Sequence, residues 1–256
     1  GRFEIETSTG TIKVPVPTYR MPDVPKCSAG YHAEPEMDLI DLFVGSEGTL
    51  GIVTSVTLDI IGHRPDIAYA LIALDNEPQA AEIASCLRDM SIQTRRTKER
   101  NGLDVIAIEF MDRRCLELLR EGGTHRRTKF AVPETKGVVL LAQVELPSGT
   151  TTEQIYEEIG IASSAVAPDT PIVRLCRVLG DKGLLEATEL VGPDDHLRSE
   201  SLLALREAVP EAVNRWVGLA RRTVDDTIEK TAADMIVPFP RFMESLDLFR
   251  DAFSSR

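Results

Sequence analysis

The stretch Ile67-Ala68-Tyr69-Ala70-Leu71-Ile72-Ala73-Leu74, followed by Asp75-Asn76-Glu77-Pro78-Gln79, decides the fold class. Its first eight residues form an apolar run of strand length, closed by a polar turn. Asn76 is a helix-capping residue, Gln79 stands three positions on, and Pro78 fits a first helical turn. Ile83, Ala84, Leu87 and Met90 then recur at helical spacing. Residues 104–110 return to strand character, with Ile106, Ile108 and Phe110 on one face. This is a strand–helix–strand unit.

The same pattern recurs downstream. Asp112 caps a short helix that Gly122-Gly123 ends, and 137–146 is a long apolar strand. Thr151-Thr152-Glu153-Gln154 opens a helix carrying Ile155, Ile159 and Ala162, and 172–178 is expected to close the unit as a strand. Two such units, at about 67–110 and 137–178, predict an α+β fold. One antiparallel sheet would carry helices on one face, the ferredoxin-like arrangement. Residues 182–222 are expected to be mostly helical, broken at Gly192-Pro193, with Pro210 as a kink or fresh start. A short strand at 234–238 and a helix at 241–253 complete the chain.

The first sixty residues have a different style. Segments 2–8 and 11–16 read as strands separated by Thr9-Gly10, and Pro15, Pro17, Pro22 and Pro25 exclude a helix or central strand after them. Asp38 can cap a short helix with Leu39, Leu42 and Phe43 on one face and Gly45 as its stop. Residues 52–60 then alternate as a strand would: Ile52, Val56, Leu58 and Ile60 against Ser55, Thr57 and Asp59. Gly62-His63-Arg64-Pro65 breaks that pattern. The boundary is placed there, giving domains at 1–62 and 67–256.

Composition removes several classes of function. The chain has 256 residues and a net charge of −12, so its sign is wrong for phosphate neutralisation and argues against a nucleic-acid module. No apolar run approaches the ~18 residues that a membrane helix needs. Cys27, Cys86, Cys115 and Cys176 are far apart, with no C-x-x-C and no histidine at ligand spacing. Reduced thiols in a cytoplasmic protein are therefore expected, with neither disulfide framework nor metal site. The sequence opens on Gly1 with strand-like residues already at 3–6, shows no leader segment, and reads as a piece of something longer.

The best candidate for chemistry is Gly45-Ser46-Glu47-Gly48-Thr49-Leu50-Gly51. Three glycines in seven positions allow close approach of a planar or phosphorylated ligand, and free N–H groups there can hold anionic oxygens. Ser46 and Thr49 add hydroxyls. On spacing alone a plain glycine-rich turn is the simpler reading, since the run matches neither a Walker A nor a G-x-G-x-x-G fingerprint.

Two longer runs bear on that choice. Met21-Pro22-Asp23-Val24-Pro25-Lys26-Cys27-Ser28-Ala29-Gly30-Tyr31 and Asp38-Leu39-Ile40-Asp41-Leu42-Phe43-Val44-Gly45-Ser46-Glu47-Gly48-Thr49-Leu50-Gly51-Ile52-Val53-Thr54 resemble the FAD-linked oxidases of the vanillyl-alcohol oxidase superfamily. The branch resembled holds D-lactate dehydrogenase, the glycolate oxidase flavin subunit and D-2-hydroxyglutarate dehydrogenase. Leu205-Arg206-Glu207-Ala208-Val209-Pro210-Glu211-Ala212 and Asp234-Met235-Ile236-Val237-Pro238 add a second match. The resemblance implies that residues 1–62 end an FAD-binding domain and that 67–256 form most of a cap over the flavin. It further implies FAD contacts, mostly through backbone, at Glu47, Gly48, Thr49, Leu50, Gly51, Ile52 and Val53.

The family's reaction follows from the resemblance. A small 2-hydroxy acid, of D configuration, loses its Cα hydrogen as hydride to flavin N5 while a base takes the hydroxyl proton. The family's base and its metal-binding histidines would lie beyond Arg256, and its pyrophosphate loop before Gly1. The piece alone is thus expected to be inactive and to bind FAD weakly or not at all. Arg206 is the residue the resemblance assigns to the substrate carboxylate, which a guanidinium fork can hold bidentately. Some relatives carry Thr where Pro210 stands here.

Other features weigh less. Lys230, the basic runs at 95–100 and 125–129, and the scattered His32, His63, His125 and His196 read as solvated. Exposed sheet edges predict a homodimer. Two alternatives stay open: a flavin-dependent alkyl-dihydroxyacetonephosphate synthase-like transferase, and a non-catalytic cap docking an electron-transfer partner. The electron acceptor is not legible.

Overall fold

A strand survives only where its backbone groups find a partner, and this rule separates the strands that form from those that do not. The computed structural model describes residues 1–24, 27, 30–60, 65–123, 136–231 and 235–254. It divides into two units: residues 1–61 with 234–242, and residues 62–233 with 243–256. Gly62-His63-Arg64, Asp234, the basic run at 125–129, and Pro25, Lys26, Ser28 and Ala29 lie outside the described residues.

In the first unit, β1 (Arg2–Thr7) and β2 (Gly10–Pro15) form an antiparallel hairpin. Its turn closes on Gly10 at φ 131°, a value open to glycine. Helix α1 (Leu39–Phe43) follows. Asp38 stands at its N-cap, as expected, and the Asp41 carboxylate accepts from the Asp38 N–H at 2.8 Å. The expected strand at 52–60 is absent. No described residue pairs with it, and Ile52, Val56, Leu58 and Ile60 are exposed. Alternation alone does not make a strand without a neighbouring ladder. Residues 235–238 are likewise not a strand.

The second unit is built on a four-stranded antiparallel sheet in the order β4-β5-β3-β6. Its strands are β3 (Asp66–Leu74), β4 (Asp104–Met111), β5 (Val138–Leu146) and β6 (Thr188–Val191). Helices α2 (Glu77–Thr97), α3 (Arg113–Glu121) and α4 (Thr152–Ile161) start where the capping signals place them. The Asn76 Oδ1 accepts from the Gln79 N–H at 2.9 Å, and the Asp112 Oδ1 accepts from the Cys115 N–H at 2.9 Å.

Residues 172–178, expected as a strand, lie inside helix α5 (Pro171–Asp181). Thr170 caps it and Pro171 fills its first position, while Ile172, Leu175, Cys176 and Leu179 are buried at helical spacing. The β-branched pair Ile172-Val173 misleads, because packing overrides local preference. The fourth strand is instead β6, only four residues long and inside the stretch expected to be helical. Helix α6 (His196–Thr223) then runs through Pro210 without starting afresh, and α7 (Phe242–Ser254) ends the described chain.

Helices cover both sheet faces, where one was expected. Leu71, Ala73, Met111, Val139, Leu141 and Val191 pack against Leu116 and Leu119 of α3 and Leu202, Leu205 and Ala208 of α6. The alternate residues Ala70, Ile72 and Leu74 are fully buried on the other side, where α2 and α5 meet the sheet. The buried apolar residues of α2 and α5 fall outside the first cluster.

Candidate functional site

In the first unit the glycine-rich segment forms an open left-handed loop. Gly45 (φ 79°), Glu47 (φ 50°) and Gly48 (φ 77°) all sit at positive φ. Glycine tolerates this freely, while Glu47 carries a steric cost of about 1–2 kcal/mol. Ser46 is buried at the loop's base and donates its N–H to the Phe43 carbonyl at 3.1 Å. The Thr49 N–H and hydroxyl both turn back to the Ser46 carbonyl, at 3.0 and 2.6 Å.

A side-chain relay fixes this loop from outside. The Tyr31 hydroxyl lies 2.8 Å from Thr49 Oγ1, and since that oxygen already donates to Ser46, Tyr31 is the donor. The Tyr19 hydroxyl in turn donates to the Tyr31 carbonyl. Tyr31 stands in the motif run but has no local signature of this role, because its partner is eighteen residues away.

Residues 47–53 are all exposed. Among the described residues, no partner is seen for the N–H groups of Glu47, Gly48, Leu50, Gly51, Ile52 or Val53. That donor set fits an acceptor-rich ligand such as FAD, and a left-handed glycine keeps side chains from blocking its approach. Beside the loop lies a cavity of about 470 Å³, lined by Met21, Cys27, Gly30, His32, Asp41, Val44, Gly45 and Glu47. This is within the size range of small-molecule sites. His32, read from sequence as a scattered surface residue, is on its wall, with Nε2 3.5 Å from Glu34 Oε1.

Arg206 belongs to the second unit, on α6. Its side chain is 48% exposed, and its Nε lies 3.0 Å from Glu109 Oε1 on β4. The neighbouring Leu205 is buried in the sheet-facing cluster, which fixes the helix beneath it. Pro210 has no N–H to give to the carbonyl four residues back, so the Arg206 carbonyl lacks its ordinary helix bond. Glu109 was missed from sequence. Its signal is the alternation of β4, which puts it on the face of Met111.

The remaining candidates are placed as follows. Lys230 is exposed, and Arg95 forms an ion pair with Asp104 at 2.7 Å. All four cysteines are free thiols. Burial, with Asp112 nearby, pushes the Cys115 thiol up to about 12, and burial pushes Cys176 up to about 11. Among the described residues, no group of three His, Cys, Asp or Glu could hold a metal ion, and no helix is long and apolar enough to cross a membrane.

No family model matches the chain. Comparison with curated proteins finds D-2-hydroxyglutarate dehydrogenase, mitochondrial, from Bos taurus, 30% identical over 179 residues. The alignment covers 70% of this chain and 27% of that enzyme. The Rattus norvegicus enzyme of the same name is 28% identical over the same length and shares. The Danio rerio enzyme is 32% identical over 84 residues, 33% of this chain and 14% of its own. The chain thus spans about a quarter of the first two relatives. All three are named as mitochondrial, which overturns the cytoplasmic expectation. Free thiols argue only against an oxidising compartment and do not choose among reducing ones. The chain is therefore similar, along a segment of their length, to the D-2-hydroxyglutarate dehydrogenases, which are enzymes of the FAD-linked oxidase family.

Proposed function

We propose that this chain is part of an FAD-dependent dehydrogenase that oxidises a small D-2-hydroxy acid to the 2-oxo acid. The observation that carries the reading is the open loop at 47–53, with its unmet N–H groups, inside a run that resembles this family. Residues 1–62 are read as the end of an FAD-binding domain and 67–256 as its cap. The cap's strand order, 2-3-1-4 in its own chain order with every neighbour antiparallel, supports a ferredoxin-like core elaborated by α3 and α6.

The residues take separate tasks. Glu47, Gly48, Thr49, Leu50, Gly51, Ile52 and Val53 hold FAD, mainly by backbone N–H groups, and Tyr31 keeps Thr49 in place. When bound there, FAD supplies the electron acceptor. Arg206 takes the substrate carboxylate and so fixes the position of the Cα hydrogen. The names of the relatives make D-2-hydroxyglutarate the first substrate to try and the mitochondrion the proposed compartment.

The test uses the whole protein that contains this chain, loaded with FAD and kept anaerobic. Adding D-2-hydroxyglutarate, and separately D-lactate, should bleach the oxidised flavin band with one of them. No bleaching by either acid would overturn the proposal. The 256-residue chain alone is expected to form no stoichiometric yellow complex with FAD.

A further inference from the structure

We propose that Glu109 is a positioning residue for Arg206, clamping the Nε side of its guanidinium so that the terminal Nη edge is left to take a substrate carboxylate. This rests on the reading of Arg206 as the carboxylate-binding residue. A guanidinium offers five donors on two edges, so one carboxylate can hold it while another binds. Glu109 Oε1 lies 3.0 Å from Arg206 Nε. On the other edge only Glu207 comes near among the described residues, at 3.9 Å from Nη1. The Arg206 side chain is half exposed.

The clamp is rigid at both ends. Glu109 sits inside β4, opposite Leu141 of β5, and Leu141 packs in the same cluster as Leu205. The two charged residues are thus held by adjoining parts of one core, not by mobile loops. Glu109 is about one-third exposed and two residues from the buried Met111, so pairing with Arg206 offsets part of its desolvation. Pro210 adds a second local peculiarity, removing the helix bond to the Arg206 carbonyl. A pair serving stability alone could as well use lysine; the planar fork is what preserves a second, directional edge.

The experiment uses the whole FAD-loaded protein and the variants Glu109→Ala, Glu109→Asp, Arg206→Ala and Glu109→Ala/Arg206→Ala. Steady-state kinetics with D-2-hydroxyglutarate are paired with equilibrium binding of 2-oxoglutarate, which needs no turnover. Glu109→Ala should raise both KM and the dissociation constant about tenfold while kcat stays within about twofold. Arg206→Ala should do more, and the double variant no more than Arg206→Ala, because the two act as one unit. Should Glu109→Ala not fold, Glu109→Asp keeps the charge but withdraws it by one methylene, and should raise KM with an unchanged melting temperature. The proposal fails, with the Arg206 reading intact, if Arg206→Ala weakens binding and the Glu109 variants do not, or if the two losses add. If Arg206→Ala itself changes neither constant, the Arg206 reading falls and the clamp with it.

Discussion

Truncating Leu205 to alanine tests the packing that fixes α6 and, through it, Arg206. Leu205 is 2% exposed, among Leu71, Leu141, Met111 and Val191. The substitution removes three carbons, worth about 2.4 kcal/mol of transfer free energy at about 0.8 kcal/mol each. The unfilled space adds a cavity cost, so the expected loss is about 3–4 kcal/mol. Leu219, on the same helix, is 53% exposed and gives the matched control. Leu219→Ala should cost less than about 1 kcal/mol. Urea unfolding followed by fluorescence of Trp216, the single tryptophan, measures both. Trp216 lies on α6 with the Arg114 guanidinium 5.0 Å from its ring centre, so loss of the α3–α6 contact alters its surroundings. Equal midpoint shifts for the two variants, or a Leu205→Ala loss below about 1 kcal/mol, would refute the packing described.

Thr170→Ala should cost about 2 kcal/mol, of which about 1 is the α5 cap and about 1 the hydrogen bond to Glu158, seen at 2.6 Å. Thr170→Ser should restore most of it, and denaturant midpoints check both. Cys115 and Cys176 bind their protons more tightly when folded, so stability should hold up to the unfolded thiol value near ~8.5 and fall as pH rises toward about 11 and about 12. Unfolding titrations should show that alkaline slope, and alanine at both positions should flatten it. Alkylation followed by mass spectrometry should modify exposed Cys27 before Cys176. At the acid end, Arg174 lowers the Asp169 and Glu99 carboxyls through side-chain hydrogen bonds. Their contribution is present above the usual carboxylate range and lost as pH falls through the lowered values. Arg174→Met should reduce the slope of stability against pH there, measured at low salt because the pairs are surface-exposed.

Much of the second unit was legible because its signals are local. Asn76, Asp112 and Thr151 each announce a helix start with their own side chains, and each accepts the expected backbone N–H. The errors fall where the deciding partner is distant. Residues 52–60 have the alternation of a strand and no ladder to join. Residues 172–178 carry a β-branched pair, yet burial of Leu175, Cys176 and Leu179 at helical spacing settles them as helix. The short strand β6 is specified by its antiparallel pairing with β3, which four residues of sequence do not advertise. At the candidate site, the glycine-rich loop was readable from its composition, but its left-handed turn through Glu47 was not. The Tyr31–Thr49 relay and the Glu109–Arg206 pair join residues far apart in sequence, so only the fold brings them together.

A loop at 47–53 that lies against FAD, as proposed, loses its access to water when FAD binds. Hydrogen exchange of the amides from Glu47 to Val53, measured in the whole protein with and without FAD, tests it most directly. These N–H groups are exposed and, Thr49 apart, have no partner among the described residues. Exchange should be fast without FAD and markedly slower with it for Glu47, Gly48 and the amides from Leu50 to Val53. Unchanged exchange across that stretch, with FAD demonstrably bound, would contradict it.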